Sequence, residues 1–288
     1  MRRLTYTLQA GQSCKVQDYL RRQGFSGTLL AYLKQREGRL LCNGKHIRTV
    51  DMLSPFDQLE VTLDDEENDL IPNPALTAEI LYQDPDLVIY NKPAAMPVHP
   101  CRNHRTDTLG NLFAVSYPNC VFRPVNRLDR DTSGACLAAL HALAGAKLSG
   151  KTYKVYLAVV SGRLPTDRGT IDAPILRTDY TGIARQVGEG GQPAVTHYQV
   201  VAGNADYTAV RVWLETGRTH QIRVHFCHLG FPLAGDRLYG GSLERMDRQA
   251  LHCMQMSFVH PVTETEISVQ AEIPVDMQNA FPFLQNWA

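Results

Sequence analysis

The 288-residue chain lacks any run of about 18 uncharged apolar residues, so no membrane-spanning helix is expected. The segment MRRLTYTLQAGQS is basic but has no apolar h-region, which argues against a secretory signal. The seven cysteines are an odd number without an even framework, which suits a reducing, cytoplasmic setting. No repeat of roughly 20–50 residues and no low-complexity tract is present, so a solenoid is excluded. Excess charge of one sign is missing too: 29 Lys and Arg face 29 Asp and Glu. With hydrophobic residues at 44% and no net charge, disorder is excluded as the main state.

Zero net charge hides an uneven distribution. Residues 1–63 hold 10 basic and 5 acidic side chains, and residues 92–185 hold 13 and 6. Residues 244–288 hold 2 basic and 6 acidic. A chain divided in this way can still present a positive groove to a polyanion.

The run Asp64-Asp65-Glu66-Glu67-Asn68-Asp69, followed by Leu70-Ile71-Pro72-Asn73-Pro74, cannot be regular helix. It reads as a linker over 64–75 between a module at 1–63 and a larger domain at 76–288. In the module, Leu4–Leu8 predicts a strand. Val16, Tyr19 and Leu20 have helical spacing, and Leu29, Leu30 and Leu33 line a second helix over Thr28–Gln35. Asn43-Gly44 between apolar residues predicts a hairpin, and alternating Leu59–Leu63 a closing strand. Lys34, Arg36, Arg39, Lys45 and Arg48 cluster on the second helix and the hairpin. This order resembles the αL-motif RNA-binding module named after a ribosomal small-subunit protein. The arginine-rich start of that motif's second helix is replaced here by Phe25-Ser26-Gly27-Thr28, so the match is degenerate.

The remaining chain mixes short strands with few helices. Leu87–Tyr90, Tyr153–Val160, Tyr198–Val201 and Thr208–Glu215 read as strands, and His220–His228 as a helix. Ala135 to Leu148 is mostly Ala and Leu and predicts a helix with Thr132 or Ser133 as cap. Strands without regularly intervening helices favour an α+β fold: a mixed, mainly antiparallel sheet with flanking helices and a central cleft.

Four segments carry chemistry-bearing side chains. They are NKPAAMPVHP at 91–100, RLDRDTSG at 127–134, KVYLAVVSG at 154–162 and ETGRTHQIRVH at 215–225. In this order, with GDRLYGG at 235–241, they resemble the signature segments of the RluA-type pseudouridine synthases. The likeness spans roughly residues 75–275. It departs at Asn126, where the family usually has His, and at Ala95, where it usually has Gly; Ala there is disfavoured if φ is positive.

The resemblance implies isomerisation of uridine in RNA, most readily large-subunit ribosomal RNA, with tRNA as the alternative. It carries the catalytic carboxylate onto Asp129, its guanidinium partner onto Arg223, with Arg218 as the alternative, and the active-site tyrosine onto Tyr156. An ionised Asp can attack the sugar or remove a proton, and both roles stay open. A buried carboxylate needs a cationic partner to remain charged, and arginine offers a fork. Tyr153, at an odd offset from Tyr156, falls on the opposite strand face. Arg127 adjoins Asp129 and is placed to fill the space left by a flipped base. Lys92, His99, Arg102, Arg105, Arg130, Arg218 and His220 are expected to bind substrate, chiefly at phosphates. Asp131 reads as a helix N-terminal charge. The reaction is redox-neutral and needs no net water, so the resemblance implies no cofactor and no metal. RNA is the expected partner, the chain a monomer.

Two histidine–cysteine groups, His99/Cys101/His104 and His225/Cys227/His228, lack the paired spacing of a structural zinc site. Gly188–Gly191 has no following Lys-Ser/Thr and is no phosphate loop. Two other readings remain: a catalytically silent RNA-binding protein on the same fold, and a nuclease, for which Asp129 and Asp131 alone are thin support.

Overall fold

Asn43 and Gly44 both take positive φ, 50° and 76°, the backbone of the tight turn that Asn-Gly favours. In the computed structural model, which describes residues 1–65, 68–178 and 182–285, they join strands Leu40–Cys42 and Lys45–His46. Arg2–Thr7 and Gln58–Leu63 pair antiparallel to complete a four-stranded sheet. Helices Val16–Arg22 and Gly27–Leu33 pack Val16, Tyr19, Leu20, Leu29, Leu30 and Leu33 onto that sheet's apolar residues. Ser26 caps the second helix by accepting from the Leu29 amide at 3.2 Å.

A ten-stranded sheet is the frame of the rest of the chain. Its main path runs Arg168–Asp172, Val195–Gly203, Tyr207–Leu214, Tyr153–Ser161, Leu251–Val259, Ser133–Ala139, Leu87–Lys92, Glu79–Gln83. Every pairing is antiparallel except Ser133–Ala139 against Leu251–Val259. The fold is therefore α+β with a mainly antiparallel sheet. Among the described residues no helix is long and apolar enough to cross a membrane.

Ala135 to Leu148 is not one helix. Ser133–Ala139 is a strand with all seven residues buried, and only Ala142–Leu148 is helical. Alanine's helix propensity is a few tenths of a kcal/mol per residue, and burial between two strands overrides it. The helix cap moves accordingly to His141, whose Nδ1 accepts from the Ala144 amide at 3.2 Å. Asp131 thus has no helix behind it. It accepts from Arg130 Nε and Nη2, both at 2.9 Å.

The two parts of the chain meet closely. Leu143 sits in the same apolar cluster as the first helices. Arg2 holds Asp86 through Nε at 2.6 Å and Nη2 at 3.1 Å. The stretch 64–75 is tied down at its start: Asp64 accepts from Tyr32 and Arg39, and Asp65 from Arg123 Nη2 at 2.7 Å. Glu66 and Glu67 lie outside the described residues. The three arginines of the first part's cation cluster have acidic partners, while Lys34 and Lys45 are exposed. Arg39 is buried over the Tyr32 ring at 3.7 Å, Arg36 lies 3.7 Å from Asp64, and Arg48 pairs with Asp51.

Candidate active site

The segment Arg127–Thr132 enters the strand Ser133–Ala139 through a turn closed by the Thr132 amide on the Asp129 carbonyl at 3.1 Å. Asn126 anchors it from behind. Its Nδ2 donates to the Ala135 carbonyl at 3.1 Å and its Oδ1 accepts from the Leu137 amide at 2.8 Å. Gly134, at φ 109°, lets the strand approach its parallel neighbour; a Cβ there would sit 2.3 Å from the Cys253 carbonyl. Leu128 is buried, while Asp129 on the next position keeps its side chain 27% exposed.

Arg223 lies in the first turn of helix Gln221–His228, nearly buried. Its Nε and Nη2 hold both oxygens of buried Asp236, at 2.7 and 2.8 Å. Its Nη1 donates to Asp129 Oδ2 at 2.9 Å. Two carboxylates raise the guanidinium above its ordinary value against the opposing effect of burial. His220, just before the helix, has φ 57° and places Nε2 3.8 Å from the same Oδ2. Gln221 fixes that entry by accepting from the Arg218 amide and the Thr216 hydroxyl, both at 2.9 Å.

Tyr156 is 7% exposed within strand Tyr153–Ser161, whose residues 155–160 are all buried, whereas Tyr153 at the strand's first position is 49% exposed. Burial first, then Cys253 and Asp129, raises the Tyr156 hydroxyl well above its ordinary value, so it stays protonated. Asp129, Tyr156, Arg127, Arg218, His220 and Arg223 share the lining of one solvent-open cavity of about 70 Å³. Leu128, Leu214, Ile222 and Leu251 supply its apolar wall.

Four expected substrate contacts already have partners inside the protein. Lys92 is fully buried, and its Nζ donates to the carbonyls of Pro93, Met96 and Arg130 at 2.7, 2.7 and 3.0 Å. Burial lowers it to about 8. It ties the proline loop to the catalytic loop and has no reach to a phosphate, because it is fully buried with three donors on carbonyls. Arg130 is exposed but paired with Asp131. His99 lies on the proline loop with its ring edge-on to Phe122 at 5.2 Å, lowered by desolvation and by Arg127. Arg218 donates from Nε to the Pro193 carbonyl at 3.0 Å; Arg102, Arg105 and Arg127 are exposed.

Asp236 and Tyr239 have functional surroundings that reading the sequence did not assign. The one available signal was GDRLYGG, whose Asp follows a glycine at φ 75°. Tyr239 lies under the Arg223 guanidinium, 5.0 Å from ring centroid to Cζ.

His225 uses both ring nitrogens, on Thr196 Oγ1 and the Ala173 carbonyl. Asp84, Asp86 and His260 bring ligand-type atoms within 4.8 Å of one another. However, His260 Nδ1 accepts from the Val262 and Thr263 amides, which leaves the proton on Nε2 facing the carboxylates. A protonated nitrogen offers no lone pair to a metal, and Asp86 is already taken by Arg2 and His141.

Fold and cavity together define the class: an α+β protein with one carboxylate, held by a guanidinium, in an open cavity rimmed by cations. Residues 86–228 match the family described as RNA pseudouridylate synthase. The chain is 40% identical over 273 residues to the uncharacterized RNA pseudouridine synthase YjbO of Bacillus subtilis, spanning 91% of this chain and 96% of that protein. It is 35% identical over 267 residues to ribosomal large subunit pseudouridine synthase D of Pseudomonas aeruginosa, spanning 84% and 82%. Among solved structures, human RNA pseudouridylate synthase domain containing 1 superposes with TM-score 0.57 at 29% identity, covering 70% of this chain and 86% of that one. The chain belongs to the RNA pseudouridylate synthase family. It is an isomerase that converts uridine in RNA to pseudouridine.

Proposed function

We propose that the protein isomerises uridine in large-subunit ribosomal RNA, acting in the cytoplasm as a monomer, with Asp129 as its reacting carboxylate. The observation that carries this reading is the 2.9 Å contact of Arg223 with Asp129 inside the cavity that Tyr156 walls. The guanidinium fixes the direction of the carboxylate, whose ionised form either attack on the sugar or proton removal requires. Tyr156 stays neutral, so it packs against the extruded base and donates a hydrogen bond rather than acting as a phenolate. Arg127 is exposed at the rim and fills the gap the base leaves. Arg218 and His99 meet the backbone. Residues 1–63 form the appended module and 76–288 the catalytic domain, joined over 64–75. Arg36, Arg39 and Arg48 are paired within the protein, so the module's contact with RNA would fall to exposed Lys34 and Lys45.

Tritium release from transcripts carrying 5-tritiated uridine tests the reading. Large-subunit ribosomal RNA should lose tritium with the wild-type protein and not with Asp129→Asn, while tRNA transcripts retain it. Equal release by both proteins removes Asp129 from the reaction; release from tRNA alone removes the ribosomal substrate.

A further inference from the structure

Asp129 has two oxygens with different surroundings. Oδ2 accepts from Arg223 Nη1 at 2.9 Å and lies 3.8 Å from His220 Nε2. Oδ1 has no hydrogen-bond partner among the described residues. Behind His220, Nδ1 lies 2.8 Å from the Tyr239 hydroxyl. That hydroxyl already accepts from the Arg185 amide at 3.0 Å. Its own hydrogen is free to point at Nδ1, and with that donation the imidazole proton sits on Nε2, facing Asp129. His220 is held there by its left-handed backbone, uncommon for a residue other than glycine.

We infer that Tyr239 and His220 are positioning residues that complete the hold on Asp129 Oδ2 and leave Oδ1 as the oxygen that meets the ribose. The inference rests on the reading of Asp129 as the reacting carboxylate. With RNA bound, the 3.8 Å gap closes to a hydrogen bond. The carboxylate then has one oxygen fixed by two donors from the helix entry, and its plane cannot rotate. Whichever chemistry Asp129 performs, the lone pair that acts belongs to Oδ1. Among charged and titratable groups, Asp129, Arg223, Arg185 and Asp236 act on His220, and Tyr239 contacts it directly. Burial, Arg223 and Arg185 outweigh the two carboxylates and lower it, so the ring is neutral at neutral pH. A hydrogen bond donated into Nδ1 acts in the same direction, since it favours the neutral ring. Protonation in acid makes the grip on Asp129 ionic and blunts the carboxylate.

The test uses the full-length protein and 5-tritiated large-subunit ribosomal RNA, with imidazole nitrogen NMR on the free protein. The wild type should show His220 protonated at Nε2 only, and kcat should fall in acid, on the acidic side of the ordinary histidine value. His220→Asn, too short to reach, should lower kcat about tenfold with KM within about twofold. His220→Gln keeps an N–H donor and should recover most of kcat while losing that acidic limb. Tyr239→Phe should release the tautomer and shift the limb to higher pH. An Nδ1-protonated ring in the wild type overturns the inference. So does a limb unchanged in His220→Gln and Tyr239→Phe, or a loss confined to KM. If the wild type releases no tritium, the substrate assignment fails, and the tautomer measurement still decides the geometry.

Discussion

Arg223 reaches Asp129 with the one guanidinium nitrogen that Asp236 leaves over. Asp236 takes Nε and Nη2 in a bidentate contact at 1% exposure, and Nη1 goes to Asp129. The fork is rigid, so fixing two of its nitrogens fixes the third. Asp236 therefore sets the direction from which Asp129 is held, although it does not line the cavity.

Substitutions at the two positions should separate holding from aiming. In Arg223→Lys a single ammonium cannot serve both carboxylates, and Asp236 is left buried without its partner. A loss of about 3–5 kcal/mol is expected for breaking such a pair, with kcat down about 100-fold or more. Asp236→Asn keeps a guanidinium near Asp129 but loosens its aim, so single-turnover tritium release should slow more than RNA affinity drops. Urea unfolding and single-turnover assays on the same preparations check both. Unchanged single-turnover rates in Asp236→Asn would refute the aiming role.

Lys92 and Arg218 should behave oppositely toward salt. Lys92 has its three donors on backbone carbonyls, whereas Arg218 lines the open cavity. Arg218→Ala should lower the slope of log K against log salt by about 1, and Lys92→Met should leave it unchanged. Lys92→Met should instead lower the urea midpoint, because three carbonyls lose their donor. A reduced salt slope in Lys92→Met would return this lysine to the phosphate contacts.

Much of this site was legible because motif residues carry their chemistry in their type. RLDRDTSG and GRTHQIRVH lie about ninety positions apart, yet Asp129 and Arg223 meet at 2.9 Å. Periodicity also found both helices and the Asn43-Gly44 hairpin of the first part, where local signals decide. It failed at Ala135–Ala139, because small side chains demanded by two flanking strands look like helix formers in isolation. Lys92 misled for a related reason. A lysine in a loop motif reads as a phosphate ligand, and only its neighbours reveal that its ammonium is enclosed. Tyr239 and Asp236 were out of reach, since their partners lie across the fold.

Ala95 occupies left-handed backbone at φ 62°. A non-glycine residue there costs about 1–2 kcal/mol. Replacing it by glycine relieves that strain and loses about 0.4–1 kcal/mol through the freer unfolded chain. The net expectation for Ala95→Gly is a gain of about 0.5–1 kcal/mol. Equilibrium urea unfolding reads it directly, and a loss of stability would mean that the loop does not hold this conformation in solution.

His252 should give the protein a distinct acid sensitivity. It is fully buried, accepting from the Ser133 hydroxyl at Nδ1 and donating from Nε2 to the Ala271 carbonyl at 3.2 Å. Burial lowers it to about 4, well under the ordinary value of 6.5. Between those two values the unfolded chain binds more protons at this ring than the folded one. Stability therefore rises with pH across that window and is lost as pH falls from about 6.5 to 4. The full shift corresponds to about 3 kcal/mol at most. Asp86, lowered to about 2 with His141 and Arg2 as partners, contributes its own loss only at lower pH, below the ordinary carboxylate value of 3.8. His252→Gln can keep one donor and one acceptor in place without titrating. Urea midpoints at pH 7, 5.5 and 4.5 should fall more steeply for the wild type than for this variant. Parallel curves would show that the ring is protonated in the folded state without penalty.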